Sequence, residues 1–121
     1  MAHILLAEDD DVMLNFLMLA LERAGHDVVA TANGQDALHA LQTHETFDLL
    51  LTDIVMPGID GIELAKKATE ITPDIKVMFI TGFAGMAIKH APEDAEKAEL
   101  LSKPFHLNDL VERVEKLLSS S

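Results

Sequence analysis

Short apolar runs alternate along this chain with stretches whose apolar residues recur at helical spacing. The runs are Ile4 to Ala7, Val28 to Ala30, Leu49 to Leu51, Val77 to Ile80 and Leu100-Leu101, bounded by acidic or turn-forming residues. Such lengths suit strands buried in a sheet better than helices. Between them lie Met13, Phe16, Leu17, Ala20 and Leu21; then Ala37, Leu38 and Leu41; then Ile62, Leu64, Ala65 and Ala68; and last Leu107, Leu110, Val111, Val114, Leu117 and Leu118. Each set follows one face of an α-helix. The pattern predicts an α/β fold of five strand-helix units. Strands that alternate with helices form a parallel sheet covered on both faces, joined by right-handed crossovers.

Local punctuation agrees with this register. Gly25 stands where a helix needs a left-handed stop. Asn33-Gly34 would suit a hairpin turn, but helical spacing follows it, so a strand-to-helix loop is expected there. Thr72-Pro73 ends the third helix before the fourth strand. The stretch from Ala84 to Glu99 has a weak apolar stripe and contains Pro92, so its helix is expected to be short or displaced. Ser119-Ser120-Ser121 is expected to fray. On the first helix, Met13, Phe16, Leu17, Ala20 and Leu21 are expected to face the sheet, leaving Leu14 and Met18 pointing outward one turn apart.

A length of 121 residues suits a single domain spanning 1–121, with no room for an output domain. Acidic residues number 21 against 9 basic, for a formal charge of -12, which argues against nucleic-acid or anionic membrane partners. The absence of cysteine excludes disulfides, thiolate metal sites and a cysteine nucleophile. The chain starts without the basic and apolar segments of a signal peptide, and no apolar run reaches the roughly 18 residues of a membrane span, so a cytoplasmic location is expected. The six histidines show no ligand spacing and read as surface or packing residues.

In an open parallel sheet, ligands bind beyond the carboxyl ends of the strands. Here the first strand runs into Glu8-Asp9-Asp10, the third into Thr52-Asp53, the fourth into Thr81-Gly82 and the fifth into Ser102-Lys103-Pro104. Acids after a strand also serve as helix caps, and Asp10 or Asp11 alone fits that role equally well. Glu8, Asp9 and Asp53 crowded at one edge would repel unless a cation or Lys103 compensates. Mg²⁺ prefers oxygen ligands, usually a few carboxylates completed by water and phosphate oxygens, and Mn²⁺ is a possible substitute. A carboxylate beside such an ion can itself accept a phosphoryl group. Asp53, in the middle of the set, is the best-placed nucleophile, with Thr81 and Lys103 able to engage the added phosphoryl oxygens.

The motifs Ile4-Leu5-Leu6-Ala7-Glu8-Asp9-Asp10, Thr52-Asp53-Ile54-Val55-Met56-Pro57-Gly58-Ile59-Asp60-Gly61, Phe79-Ile80-Thr81-Gly82 and Ser102-Lys103-Pro104-Phe105 resemble the receiver domain of bacterial two-component response regulators. The resemblance spans essentially the whole chain and implies a flavodoxin-like, CheY-like doubly wound fold with strand order 2-1-3-4-5. It implies that Asp53 is phosphorylated by a histidine kinase or histidine phosphotransfer protein and that Asp9 binds the metal. Glu8 would act partly through water, and the Val55 carbonyl would supply a further ligand. Thr81 and Lys103 would read the phosphoryl group, while Pro57 and Gly61 would shape the adjoining loop. The chain would then be a signalling switch rather than a conventional enzyme, monomeric or weakly dimeric.

A narrower resemblance, to the CpdR group of stand-alone receivers from alphaproteobacteria, rests on Leu50 to Pro57, Met78 to Ala84 and Leu101 to Leu107. It implies an adaptor for the ClpXP protease in cell-cycle control, active when unphosphorylated. A switch acting on an output partner and a phosphate shuttle or sink in a relay both fit these residues. Three features depart from the wider family. Leu100 replaces the aromatic often found three residues before the lysine, which puts the usual aromatic switch in doubt. Val55 and Phe83 are apolar where polar residues often position attacking water, which would slow loss of the phosphoryl group. Leu14 and Met18 replace polar residues on the helix that relatives press against a kinase bundle, which makes them docking candidates.

Overall fold

Five strands, β1 (His3–Ala7), β2 (Asp27–Thr31), β3 (Leu49–Asp53), β4 (Lys76–Thr81) and β5 (Glu99–Ser102), pair in parallel in the order β2-β1-β3-β4-β5. Between and after them run α1 (Asp11–Arg23), α2 (Gly34–Thr43), α3 (Gly61–Ile71) and a C-terminal helix, Leu107–Ser119. The computed structural model describes residues 2–43, 46–81, 99–102 and 105–119. The helix expected between Ala84 and Glu99 therefore lies outside the described residues, apart from Glu99 at the start of β5. Among the described residues, no helix is long and apolar enough to cross a membrane.

The central strand explains the layering. Leu49, Leu50, Leu51, Thr52 and Asp53 are all buried, because β3 has a strand on each side and helices over both faces. Alternate residues divide between two cores. Leu5, Ala7, Leu50, Val77 and Phe79 pack with Ala37, Ala40 and Leu41 of α2 and Leu64, Ala65 and Ala68 of α3. Ile4, Leu6, Leu49, Leu51, Met78, Ile80 and Leu101 pack with Leu17 and Leu21 of α1 and Leu110 and Val114 of the C-terminal helix. A slip of one residue would exchange the two sets, so burial on both faces sets the register.

Helix ends follow the expected chemistry. Gly25 has φ 97° and closes α1, its N–H bonding the Glu22 carbonyl at 3.0 Å while the His26 N–H bonds Leu21 at 3.2 Å. Asn33-Gly34 makes the strand-to-helix loop rather than a hairpin, with Asn33 Oδ1 accepting the Asp36 N–H at 2.8 Å at the start of α2. Thr72 caps α3 through its N–H to Ala68 at 2.7 Å. His26 has a packing role. Its Nδ1 accepts the Ala2 N–H at 3.1 Å, so Nε2 carries the proton and donates to Glu115 of the C-terminal helix.

The phase of α1 differs from the expectation. Phe16 is 55% exposed, whereas Leu14 and Met18 are half-buried and pack against the second core. The buried stripe runs Leu14, Leu17, Met18, Leu21, flanked by half-buried Met13 and Ala20. From Val12 to Leu21 only Asn15 is polar, so periodicity has almost no polar side from which to fix the rotation. Leu14 and Met18 are consequently core residues, and the outward apolar stripe is Val12, Phe16 and Leu19.

Gly34 marks where α2 meets the loop after β3. A Cβ there would lie 2.3 Å from the Ile59 carbonyl oxygen, a backbone atom without freedom to move aside. Helix propensity alone would favour alanine by up to about 1 kcal/mol, but the overlap should outweigh it. Gly34→Ala is expected to lower stability by about 1–3 kcal/mol, read from urea unfolding. A variant as stable as the parent would contradict this account.

Candidate functional site

Parallel pairing of β1 with β3 sets Ala7 opposite Thr52. The next residue along each strand is an acid, so Glu8 and Asp53 leave the sheet side by side. Asp9 follows, and carboxylate oxygens of Glu8, Asp9 and Asp53 all lie within 4.8 Å of one another. Glu8 is 0% exposed and Asp53 6%, while Asp9 faces solvent. The cluster thus has a buried floor and an open side.

Backbone N–H groups hold this edge. Glu8 Oε2 accepts the Asp10 N–H at 3.1 Å. The Asp10 carboxylate in turn accepts from Val12 at 3.0 Å and Met13 at 3.1 Å, which makes it the N-cap of α1. Asp10 is therefore the structural acid of the run, as its position after a strand allowed. Asp53 Oδ1 accepts the Val55 N–H at 3.3 Å. The β3–β4 ladder continues beyond Asp53 through Ile54 N–H to the Ile80 carbonyl at 3.1 Å.

The loop after Asp53 folds back tightly. Gly58 has φ 78°, and Asp60 caps α3 by accepting the Glu63 N–H at 2.9 Å. The Gly61 N–H donates to Ile54 at 2.8 Å, and a Cβ on Gly61 would lie 2.1 Å from the Asp53 carbonyl oxygen. Only glycine lets α3 begin that close to the Asp53 backbone. Val55, in this loop, is 57% exposed, an apolar side chain at the rim.

Three carboxylates at this spacing repel one another, more so where burial removes water. The donor set consists of oxygens, with no thiolate and no imidazole within it. That chemistry fits a hard divalent cation such as Mg²⁺ or Mn²⁺, with water filling the open side.

The other expected site residues fall into two groups. Thr81 ends β4, paired with Ser102 of β5 and one step beyond Ile80, which faces Asp53 in register, so its backbone reaches the same sheet edge. Leu100 lies in β5 opposite Phe79. Lys103 and Phe83 lie outside the described residues. Sequence patterning missed the outward stripe Val12, Phe16, Leu19, whose signal was present as a second apolar set at i, i+4, i+7. It begins three residues after Asp9 in the chain.

Comparison with known proteins agrees with this geometry. The response regulator receiver domain family matches residues 4–115. The chain is 58% identical over 118 residues to the response regulator receiver protein CpdR of Brucella abortus, covering 98% of each. Its structure resembles the receiver domain of the hybrid histidine kinase CckA, with TM-score 0.82 and 34% identity over 97% of this chain and 99% of that one. It also resembles the response regulator TrrA of Thermotoga maritima, solved in complex with Mg²⁺-BeF, with TM-score 0.84 and 29% identity over 97% and 99%.

Relief of the carboxylate repulsion should be measurable. In the metal-free protein, Asp9→Asn is expected to raise stability by about 1 kcal/mol, the water-exposed end of the Coulomb range. It should also shrink the rise in melting temperature that Mg²⁺ produces. Calorimetric scans of both proteins with and without Mg²⁺ check this, and an unchanged Mg²⁺-dependent rise would remove Asp9 from the ligand set.

Proposed function

Since the chain belongs to the response regulator receiver family and is a phosphoaccepting, CpdR-like receiver, we propose that Asp53 is its phosphoacceptor, working beside a divalent cation held by Glu8 and Asp9. The observation that carries this reading is the convergence of the three carboxylates within 4.8 Å at the carboxyl edge of the sheet.

A receiver takes its phosphoryl group from a kinase partner. One Asp53 carboxylate oxygen attacks the phosphorus of a phosphohistidine on a histidine kinase or phosphotransfer protein. The O–P bond forms as the P–N bond breaks, and the departing nitrogen keeps the electron pair. A bound Mg²⁺ or Mn²⁺ supplies neutralisation of phosphoryl charge. Glu8 and Asp9 would hold the ion in place, with the Val55 carbonyl as a further ligand. The Val55 N–H, which already donates to Asp53 Oδ1, helps fix the nucleophile's orientation. Thr81 and Lys103 engage the transferred oxygens, coupling phosphorylation to the fourth and fifth strand ends.

The donor protein meets the face that borders the acids, and on α1 that face is Val12, Phe16 and Leu19 in place of Leu14 and Met18. A stripe of exposed apolar residues one helical turn apart suits packing against another helix. The identity to CpdR over 98% of both chains supports a further reading, in which the unphosphorylated form is an adaptor for the ClpXP protease.

Two experiments test this. Incubation with acetyl phosphate and Mg²⁺ should give a single, hydroxylamine-labile phosphoryl adduct by mass spectrometry, lost in Asp53→Asn. The same variant should stay captured by immobilised ClpX under phosphorylating conditions that release the wild type. An adduct of equal yield in Asp53→Asn would refute the acceptor assignment, and equal capture of both proteins would refute the adaptor reading. Separately, a Phe16→Arg, Leu19→Arg double variant should slow transfer from a phosphorylated histidine donor by about tenfold or more while leaving labelling by acetyl phosphate unchanged. Equal transfer rates would exclude this face from docking.

A further inference from the structure

The end of β1 is held from one side by a buried threonine. Thr31 is the last residue of β2, lies opposite Ala7 and is 8% exposed. Its Oγ1 donates to the Leu6 carbonyl at 2.7 Å, and its own carbonyl accepts the Glu8 N–H at 3.1 Å. The two bonds straddle Ala7, gripping the strand immediately before the acids. From Glu8 the line continues through its carboxylate to the Asp10 N–H, and through the Asp10 carboxylate to the first turn of α1.

The backbone bond belongs to the ordinary strand ladder, but the hydroxyl bond does not. β2 is an edge strand, supported on one side only. Edge-strand ends open more readily than central ones. A side-chain tie at the last residue of β2 resists that opening where it would release the Glu8 N–H. Because the hydroxyl is buried, losing its partner has no cheap replacement by water.

We propose that Thr31 is a positioning residue for the cation-holding acids. Its hydroxyl locks the end of β1 so that the Glu8 and Asp9 carboxylates stand at ligand spacing before a cation arrives. The proposal rests on the reading of Glu8, Asp9 and Asp53 as cation ligands. Its mechanism is that of outer residues that orient metal ligands and whose loss weakens binding.

Thr31→Val keeps the shape and removes the hydroxyl, whereas Thr31→Ser keeps the hydroxyl and removes a methyl group. Mg²⁺ affinity is measured by titration calorimetry, and amide exchange is followed in the metal-free protein. Thr31→Val should weaken Mg²⁺ binding by about tenfold and speed exchange at the Glu8 and Asp10 amides, leaving Leu50 and Met78 protected as in the wild type. Thr31→Ser should restore both. Wild-type affinity in Thr31→Val, or Thr31→Ser as weak as Thr31→Val, would overturn the proposal alone. No Mg²⁺ binding by the wild type would overturn the ligand reading and the proposal with it. If Thr31→Val exchanges fast throughout, Thr31→Ala replaces it, and serine must then bind Mg²⁺ more tightly than alanine for the proposal to stand.

Discussion

The register between β1 and β3 brings Glu8 and Asp53 out of the sheet as neighbours, and Asp9 completes a set of like charges that the fold must tolerate. Two of the three are buried, where Coulomb repulsion is less screened than in water. The rest of the molecule can be understood as what makes that arrangement stable. Register cannot slip, because β3 is buried on both faces and its alternate residues serve two separate cores. The repulsion is offset by packing elsewhere, and a divalent cation at the cluster would relieve it locally.

Close backbone approach is the second requirement. Gly61 lets α3 start against the Asp53 carbonyl, and Gly34 lets α2 start against Ile59, so the loop carrying Val55 is pinned between two helix beginnings. Asp10 and Asp60 cap α1 and α3 and tie both helices to this edge. The loop from Ile54 to Asp60 is tied to its surroundings by backbone hydrogen bonds, which orders the Asp53 carboxylate. A change at Asp53 can then be passed to connected elements rather than dissipated in a loose loop.

The surface of α1 shows how an apolar helix divides its work. One stripe, Leu14, Leu17, Met18 and Leu21, closes the core, while another, Val12, Phe16 and Leu19, stays in water. Exposed apolar residues are common singly, but three in one line on a helix suit a helical partner. At the opposite end of the sheet, His26 joins the start of β1 to Glu115 of the C-terminal helix, bracing the helix on that face of the core.

Much of this was legible in the linear pattern. Apolar runs of strand length separated by helical spacing specify a parallel α/β sheet, and the acids that end those runs specify where its chemistry lies, because local periodicity and strand-end position are properties of the chain itself. Gly25, Asn33 and Thr72 announced their turns through conformational preferences that need no tertiary partner. The rotation of α1 was not legible, since a helix that is apolar on nearly every side carries no phase, and only packing against Ile4, Leu6 and the C-terminal helix selected Leu14 and Met18 over Phe16. Nor could spacing reveal how closely Glu8, Asp9 and Asp53 approach one another, or that Thr31 grips β1. Those assignments depend on distances between segments far apart in the chain, which exist only once the strands have paired.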